Sequence, residues 1–455
     1  MPPQDHRTTM TTNPYLSGNF APVAEEVTAK DLRVTGTIPR ELTGRLLRNG
    51  PNPVVPPDPA KYHWFTGNGM VHGLRLRDGR AEWYRNRFVR DDDVAAAKGL
   101  PLTPGPRHGM GSGVANTNVI SHAGRTFAIV EAGGLPVELT DELETVAYSN
   151  FAGTLPGSFT AHPKRDPDTG ELHAIVYYWA WDYLQYVVVA SDGRVRKTVN
   201  VPVPGKPMVH DCAITERYVV LFDLPCTFDV DVAMAGAFPY IWNPDYGARV
   251  GLLPREGSAA DVRWLEDPLS YVYHPLNAYE LFDGRVVLDV VRHPHIFARD
   301  KLGPNEGGPT LDRWILDPMS GKVTEERLDD HGVEFPRHDE RRIGKPIRYG
   351  YTAALGDGLE TGALYRHDLV RRTTMVRSEG GGRHFLEPIF VPRTPDAAED
   401  DGWILAYVYD APSDKSDLVI LHAQDFTGSP VATIHLPQRV PFGFHGNWVA
   451  DESGR

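Results

Sequence analysis

Four of the 18 histidines stand in settings that single them out. They are His162 in Thr160-Ala161-His162-Pro163-Lys164, His210 in Met208-Val209-His210-Asp211-Cys212, His274 in Tyr273-His274-Pro275-Leu276-Asn277, and His445 in Phe444-His445-Gly446-Asn447-Trp448. The gaps between them are 48, 64 and 171 residues, the last being three times 57. A structural repeat of about 57 residues would bring all four to equivalent places around one axis. Imidazoles that meet on an axis make a metal site, because a neutral ring nitrogen suits first-row metal ions. Any one of these histidines alone is more often a structural residue than a ligand. The shared spacing narrows that difference without reversing it.

A repeat of that length needs elements to carry it, and the chain reads as hairpins. Leu76-Arg77-Asp78-Gly79-Arg80 leads into Ala81-Glu82-Trp83-Tyr84, and the same strand–turn–strand pattern returns at Ser191-Asp192-Gly193-Arg194, Phe282-Asp283-Gly284-Arg285 and Met319-Ser320-Gly321-Lys322. Asp-Gly between β-prone runs is a strong hairpin signal, since glycine accepts the positive φ of a tight turn. His173-Ala174-Ile175-Val176-Tyr177-Tyr178 and Leu405-Ala406-Tyr407-Val408-Tyr409 add strands rich in β-branched and aromatic residues. Long amphipathic helix patterns are scarce. The expectation is an all-β chain: a propeller of four-stranded blades, about seven of them at 50–60 residues each. Residues 1–20 lack periodicity and read as a loose tail before one domain spanning 21–455.

Composition narrows the class. The 44 glycines and 39 prolines favour a turn-rich chain over a helical bundle, and 41% hydrophobic residues supply a large core. A formal charge of −13 argues against nucleic-acid binding, which needs a basic surface. The only two cysteines, Cys212 and Cys226, have no CxxC spacing and suit a reducing compartment. No basic n-region leads an apolar core at the N-terminus, and no apolar window is long enough to span a bilayer. A cytoplasmic protein is expected, at most peripheral on a membrane.

The chain resembles the carotenoid cleavage oxygenase family from Asn13 to Trp448. The likeness is carried by Leu47-Arg48-Asn49-Gly50-Pro51-Asn52-Pro53, Phe65-Thr66-Gly67-Asn68-Gly69-Met70, Ala115-Asn116-Thr117-Asn118, the four histidine segments, and Glu387-Pro388-Ile389-Phe390-Val391-Pro392. Thr66 and Asn68 stand where relatives usually carry Asp, but neither position is a metal ligand in the family. The resemblance implies a seven-bladed propeller with a helical or loop cap over the active-site face. It also implies a non-haem Fe(II) held by His162, His210, His274 and His445. Glu131, Glu334 and Glu387 match glutamates that stand behind three of the ligands; a carboxylate there fixes the imidazole tautomer and raises its basicity. Asp211 reads as a local hydrogen-bonder rather than a fifth ligand. Thr117 aligns with a residue that narrows access to an open iron position, or is simply a turn hydroxyl.

By the same resemblance, O2 and a conjugated C=C bond give two carbonyl products, with both oxygen atoms incorporated. Relatives that cleave hydroxylated stilbenes place a Lys before the first glutamate, with a Tyr, to hold the phenol oxygen. Here that Lys position is Val130, and no Tyr lies between Tyr84 and Tyr148. An apolar apocarotenoid or carotenoid therefore fits better than a stilbene or other phenylpropanoid. A retinoid isomerohydrolase and a metal-free propeller scaffold are the remaining readings. Phe65, Trp181 and Phe444 read as propeller core ahead of tunnel wall. The uncharged run within residues 232–242 reads either as an apolar patch at a tunnel mouth, touching a membrane, or as a buried loop.

Overall fold

Asp78 and Gly79 both take positive φ, 52° and 74°, and join Gly69–Arg77 to Arg80–Phe88 in a two-residue turn whose twist matches the strands it connects. The other three expected hairpins form as well, closing between Tyr183–Val189 and Val195–Pro202, Tyr271–Glu280 and Val286–His293, and Thr310–Asp317 and Lys322–Asp329. The computed structural model describes residues 13–109, 113–304, 306–356 and 362–451. Within them, antiparallel sheets stand as the seven blades of a propeller.

Five blades are four-stranded meanders or close variants of one, and the other two are built from both ends of the chain. Blade 1 takes Thr28–Ala29, Arg80–Phe88, Gly69–Arg77 and Gly44–Pro51, and finishes with Gly446–Ala450 from the C-terminal side. Blade 7 takes Gly402–Asp410, Lys415–His422 and Ala432–His435, and finishes with Val34–Gly36 from the N-terminal side. The ring is thus closed twice by strand pairing. Closure packs the face of blade 1 against that of blade 7, two faces that an unclosed row of blades would leave exposed.

The innermost strands are Gly446–Ala450, Asn118–His122, Lys164–Arg165, Ala213–Ile214, Tyr271–Glu280, Val333–Arg337 and Ile389–Pro392 in blades 1 to 7. Middle strands such as Val286–His293 and Tyr183–Val189 are almost wholly buried, whereas outer strands such as Val195–Pro202 alternate between sheltered and exposed positions. That gradient is why middle strands read as unbroken apolar runs and outer ones as alternating. The cap is mostly loop. Its regular pieces are two short helices, Asp92–Lys98 and Val230–Met234, and a hairpin of Cys226–Phe228 with Tyr240–Trp242.

Part of the expected tail is packed. Residues 1–12 lie outside the described residues, but 13–20 form two 3-10 turns, and buried Tyr15 stacks on Trp64 at 5.7 Å. The side chain of Asn13 caps the first turn and bonds the carbonyls of Pro59 and Tyr62.

Candidate metal centre

Each blade delivers one residue at the same end of its inner strand. His445 directly precedes Gly446–Ala450, Thr117 precedes Asn118–His122, and His162 and His210 lie just before Lys164–Arg165 and Ala213–Ile214. His274 and Glu334 lie within their strands, and Glu387 comes two residues before Ile389–Pro392. The 171-residue gap therefore counts three blade steps, two of which present glutamates instead of histidines. Glu131 departs from the pattern, arriving from the segment after the second strand of blade 2.

The four imidazoles converge. Their Nε2 atoms stand 3.0 Å apart between His162 and His210, 3.1 Å between His210 and His274, and 3.1 Å between His274 and His445. All four donor atoms lie within 4.8 Å of one another, and all four residues are buried. Donors about 2.1 Å from a common centre and at right angles would be separated by about 3.0 Å, so the spacing suits a single first-row ion.

Three of the rings face a carboxylate with their outer nitrogen: His274 Nδ1 is hydrogen-bonded to Glu334 at 2.6 Å and His445 Nδ1 to Glu387 at 2.9 Å, while His210 Nδ1 makes an ion-pair contact with Glu131 at 2.7 Å. A proton on Nδ1 leaves a lone pair on Nε2. Lone pairs facing each other at 3.0 Å repel unless a cation sits between them, so these residues fit a bound metal ion. His162 differs, with its Nδ1 3.9 Å from Asp211, beyond a hydrogen bond. Asp211 instead accepts from Lys164 at 2.7 Å and from the Cys212 amide at 2.6 Å.

The electrostatics hold two of the rings, His162 and His445, unprotonated. Burial, with the neighbouring imidazoles, holds His162 well below the usual histidine range. Burial also brings His445 down to about 3 despite Glu387. At His210 burial acts the same way but is outweighed by Glu131, which draws positive charge to that ring. Burial would raise both Glu387 and Glu334; Arg337 and His445 bring the first down to about 2, and His274 and His293 hold the second well below the carboxylate range.

A family model described as retinal pigment epithelial membrane protein matches residues 20–450. A carotenoid cleavage oxygenase of Mycobacterium tuberculosis (strain CDC 1551 / Oshkosh) is 48% identical over 490 aligned positions, covering 96% of this chain and 97% of that protein. The chain belongs to the carotenoid cleavage oxygenase family. Among solved structures, the lignostilbene dioxygenase of Pseudomonas brassicacearum superposes with a TM-score of 0.88 at 32% identity, over 96% of this chain and 98% of its own. The cobalt-substituted apocarotenoid oxygenase of Synechocystis gives 0.84 at 27% identity, over 94% and 97%.

In this member of the carotenoid cleavage oxygenase family, a cavity of about 380 Å³ reaches the histidine ring. Its wall is mainly aromatic, with Phe65, Tyr178, Phe238, Tyr240 and Phe444 among the lining residues. Phe65 and Phe444, read from sequence as core, therefore wall the cavity, although Phe444 also packs on Trp64 at 4.6 Å. Trp181 is not on that wall and stacks on Tyr183 instead. Val130 and Thr117 line the cavity. The Thr117 hydroxyl donates to Asn116 Oδ1 at 2.9 Å, and its carbonyl accepts from the His445 amide at 3.0 Å, so the hydroxyl is already engaged.

Several residues that sequence reasoning passed over hold the carboxylates. Arg337 lies 3.1 Å and Arg48 3.6 Å from Glu387, His293 donates to Glu334 at 2.9 Å, and the Tyr177 hydroxyl donates to Glu131 at 2.8 Å. Arg48 carried a signal: with Arg45 it is one of two charges in Gly44–Pro51, a strand buried at every position. His293 and Tyr177 carried none, since an isolated His or Tyr at a strand end is unremarkable.

Proposed function

We propose that this protein is an Fe(II)-dependent dioxygenase that cleaves a C=C bond of an apocarotenoid or carotenoid to two carbonyl products. The reaction balances without another reductant: one alkene and one O2 give two C=O groups. The observation that carries the reading is the ring of four inward Nε2 donors opening onto an aromatic cavity.

In this reading His162, His210, His274 and His445 hold the iron, and four neutral ligands leave it its full 2+ charge. Bound there, Fe(II) supplies the redox chemistry that lets O2 react with a closed-shell alkene. The chain's own residues do the rest. Glu131, Glu334 and Glu387 keep three protons on Nδ1 and so aim three lone pairs inward. The aromatic wall excludes water and holds a conjugated chain, and Thr117 crowds one approach to the ring with its side chain. Misplacing the reacting bond by about 1 Å costs a large factor in rate, so cavity shape selects the bond.

Val130 favours a substrate without a phenolate, because the cavity offers no lysine at that place. A buried anion that loses its charged partner costs a few kcal/mol. The test is anaerobic Fe(II) loading, then air, with a panel of carotenoids, apocarotenals and hydroxystilbenes. Bleaching of a polyene with two carbonyl fragments identified by mass is the expected result. Turnover of stilbenes alone would move the substrate to the phenylpropanoids, and a protein that neither contains nor takes up iron would favour a scaffold.

A further inference from the structure

Two cavities meet the histidine ring from opposite sides, and their chemistry differs. The aromatic one touches His210, His274 and His445. The other, of about 420 Å³, runs among the inner strands and touches His162, His274 and His445. Its wall is polar, with Asn118, Lys164, Asp211, Arg337 and Asn447, and its rim includes the exposed Gly124 and Glu340. His162 thus borders only the polar channel, and His210 only the aromatic cavity.

We propose that the polar channel is the route by which the metal ion reaches the ring, with His162 the ligand that turns to admit it. The inference rests on the proposed metal centre. A divalent cation stripped of water pays a desolvation penalty that an aromatic wall cannot repay, whereas amides, carboxylates and ordered water can. The channel wall carries three cations, Lys164, Arg165 and Arg337, against three carboxylates, Asp211, Glu340 and Glu387, with Lys164 on Asp211 at 2.7 Å and Arg337 on Glu340 at 2.6 Å, so on balance it presents neither a deep trap nor a strong repulsion to a passing cation. His162 is also the ring without a carboxylate at hydrogen-bonding distance. Two of its neighbours are hydrogen-bonded to carboxylates at 2.6 and 2.9 Å and the third has a carboxylate oxygen 2.7 Å away, while its own Nδ1 lies 3.9 Å from Asp211. A ring that is not pinned on its outer nitrogen can swing without breaking a charge-assisted hydrogen bond.

The test uses the full chain stripped of metal and Co(II) as the probe, an ion the Synechocystis relative accepts. Uptake is followed by the visible absorption of Co(II), and release by transfer to a chelator. Ser121→Trp and Ile343→Trp place bulk in the channel wall at two independent, half-buried positions, and Val114→Trp does so in the aromatic cavity. Both channel variants are expected to slow uptake and release at least tenfold by the same factor, leaving affinity and final stoichiometry unchanged. Val114→Trp is expected to load at the original rate. Unchanged rates in a folded channel variant, or slowing only by Val114→Trp, would overturn the route while leaving the metal centre standing. Failure of the unaltered chain to bind Co(II) or Fe(II) at all would overturn both.

Discussion

Glu334 and Glu387 each accept from an imidazole Nδ1 and Glu131 lies 2.7 Å from a third, yet the three are held by a histidine, two arginines and a phenol respectively. The difference predicts different costs of removal. Glu131→Gln removes the carboxylate charge facing His210 and strands no buried cation, so metal affinity should fall about 10–100-fold with little change in melting temperature. Glu387→Gln additionally leaves Arg48 and Arg337 beside a neutral amide, and Arg48 is buried deeply enough to be lowered to about 10. Breaking a buried pair from one side costs about 3–5 kcal/mol, so this variant should lose both affinity and stability. Chelator competition together with thermal melts separates the two effects.

At the scale of elements, the ring closure and the blade seams carry the testable consequences. Gly446 opens the closing strand directly after His445, its amide donates to Glu387 at 2.7 Å, and a Cβ there would lie 2.5 Å from the Leu47 carbonyl oxygen. Gly446→Val should push Gly446–Ala450 away from Gly44–Pro51 and shift His445 with it. Both the melting temperature and the bound metal are expected to fall; an unchanged metal content would show that the closing strand does not position the ring. A second site lies at the seam between blades 4 and 5, where Asp267 follows Arg263–Glu266 and faces Glu325 of Lys322–Asp329. Burial, reinforced by the Glu325 charge, pushes Asp267 up to about 8. Its pKa in the folded chain is above the unfolded value near 4, so the folded state holds the proton more tightly across that interval. The stability contributed is therefore present below about pH 4 and lost as pH rises towards 8. Asp267→Asn, which mimics the protonated form, should melt increasingly above the unaltered protein as pH goes from 5 to 8. A constant difference would show that the pair does not share a proton.

The whole molecule combines a rigid toroid with a looped cap, and the uncharged segment over residues 232–242 belongs to both faces of that cap. Phe238 and Tyr240 line the aromatic cavity, while Met234 is 83% exposed and Val230, just before the segment, 61% exposed. Among the described residues no helix is long and apolar enough to cross a bilayer. Contact through this patch would let an apolar polyene pass from lipid to cavity without entering water. The protein should float with phosphatidylcholine liposomes, and Met234→Glu should reduce the bound fraction several-fold; no flotation of the unaltered protein would remove membrane contact from the account.

Local chemistry was enough to read the hairpins, because Asp78-Gly79 and its counterparts specify turn geometry within four residues. The four histidines and the three glutamates were marked by the resemblance to the family and not by local chemistry, because their segments are short, distinctive and in the family's order. The sequence alone could also yield the blade count, since a degenerate repeat still fixes its own length. What lay beyond it was anything depending on which side chains face each other across the axis. Arg48 and Glu387 are 339 residues apart, and their pairing exists only once blade 1 closes beside blade 7. Whether Phe65 and Phe444 wall a cavity, while Trp181 does not, is likewise a matter of which way three similar rings turn. The polar channel and the unpinned His162 have no signature in the chain, for a void is defined by what several distant strands leave unfilled.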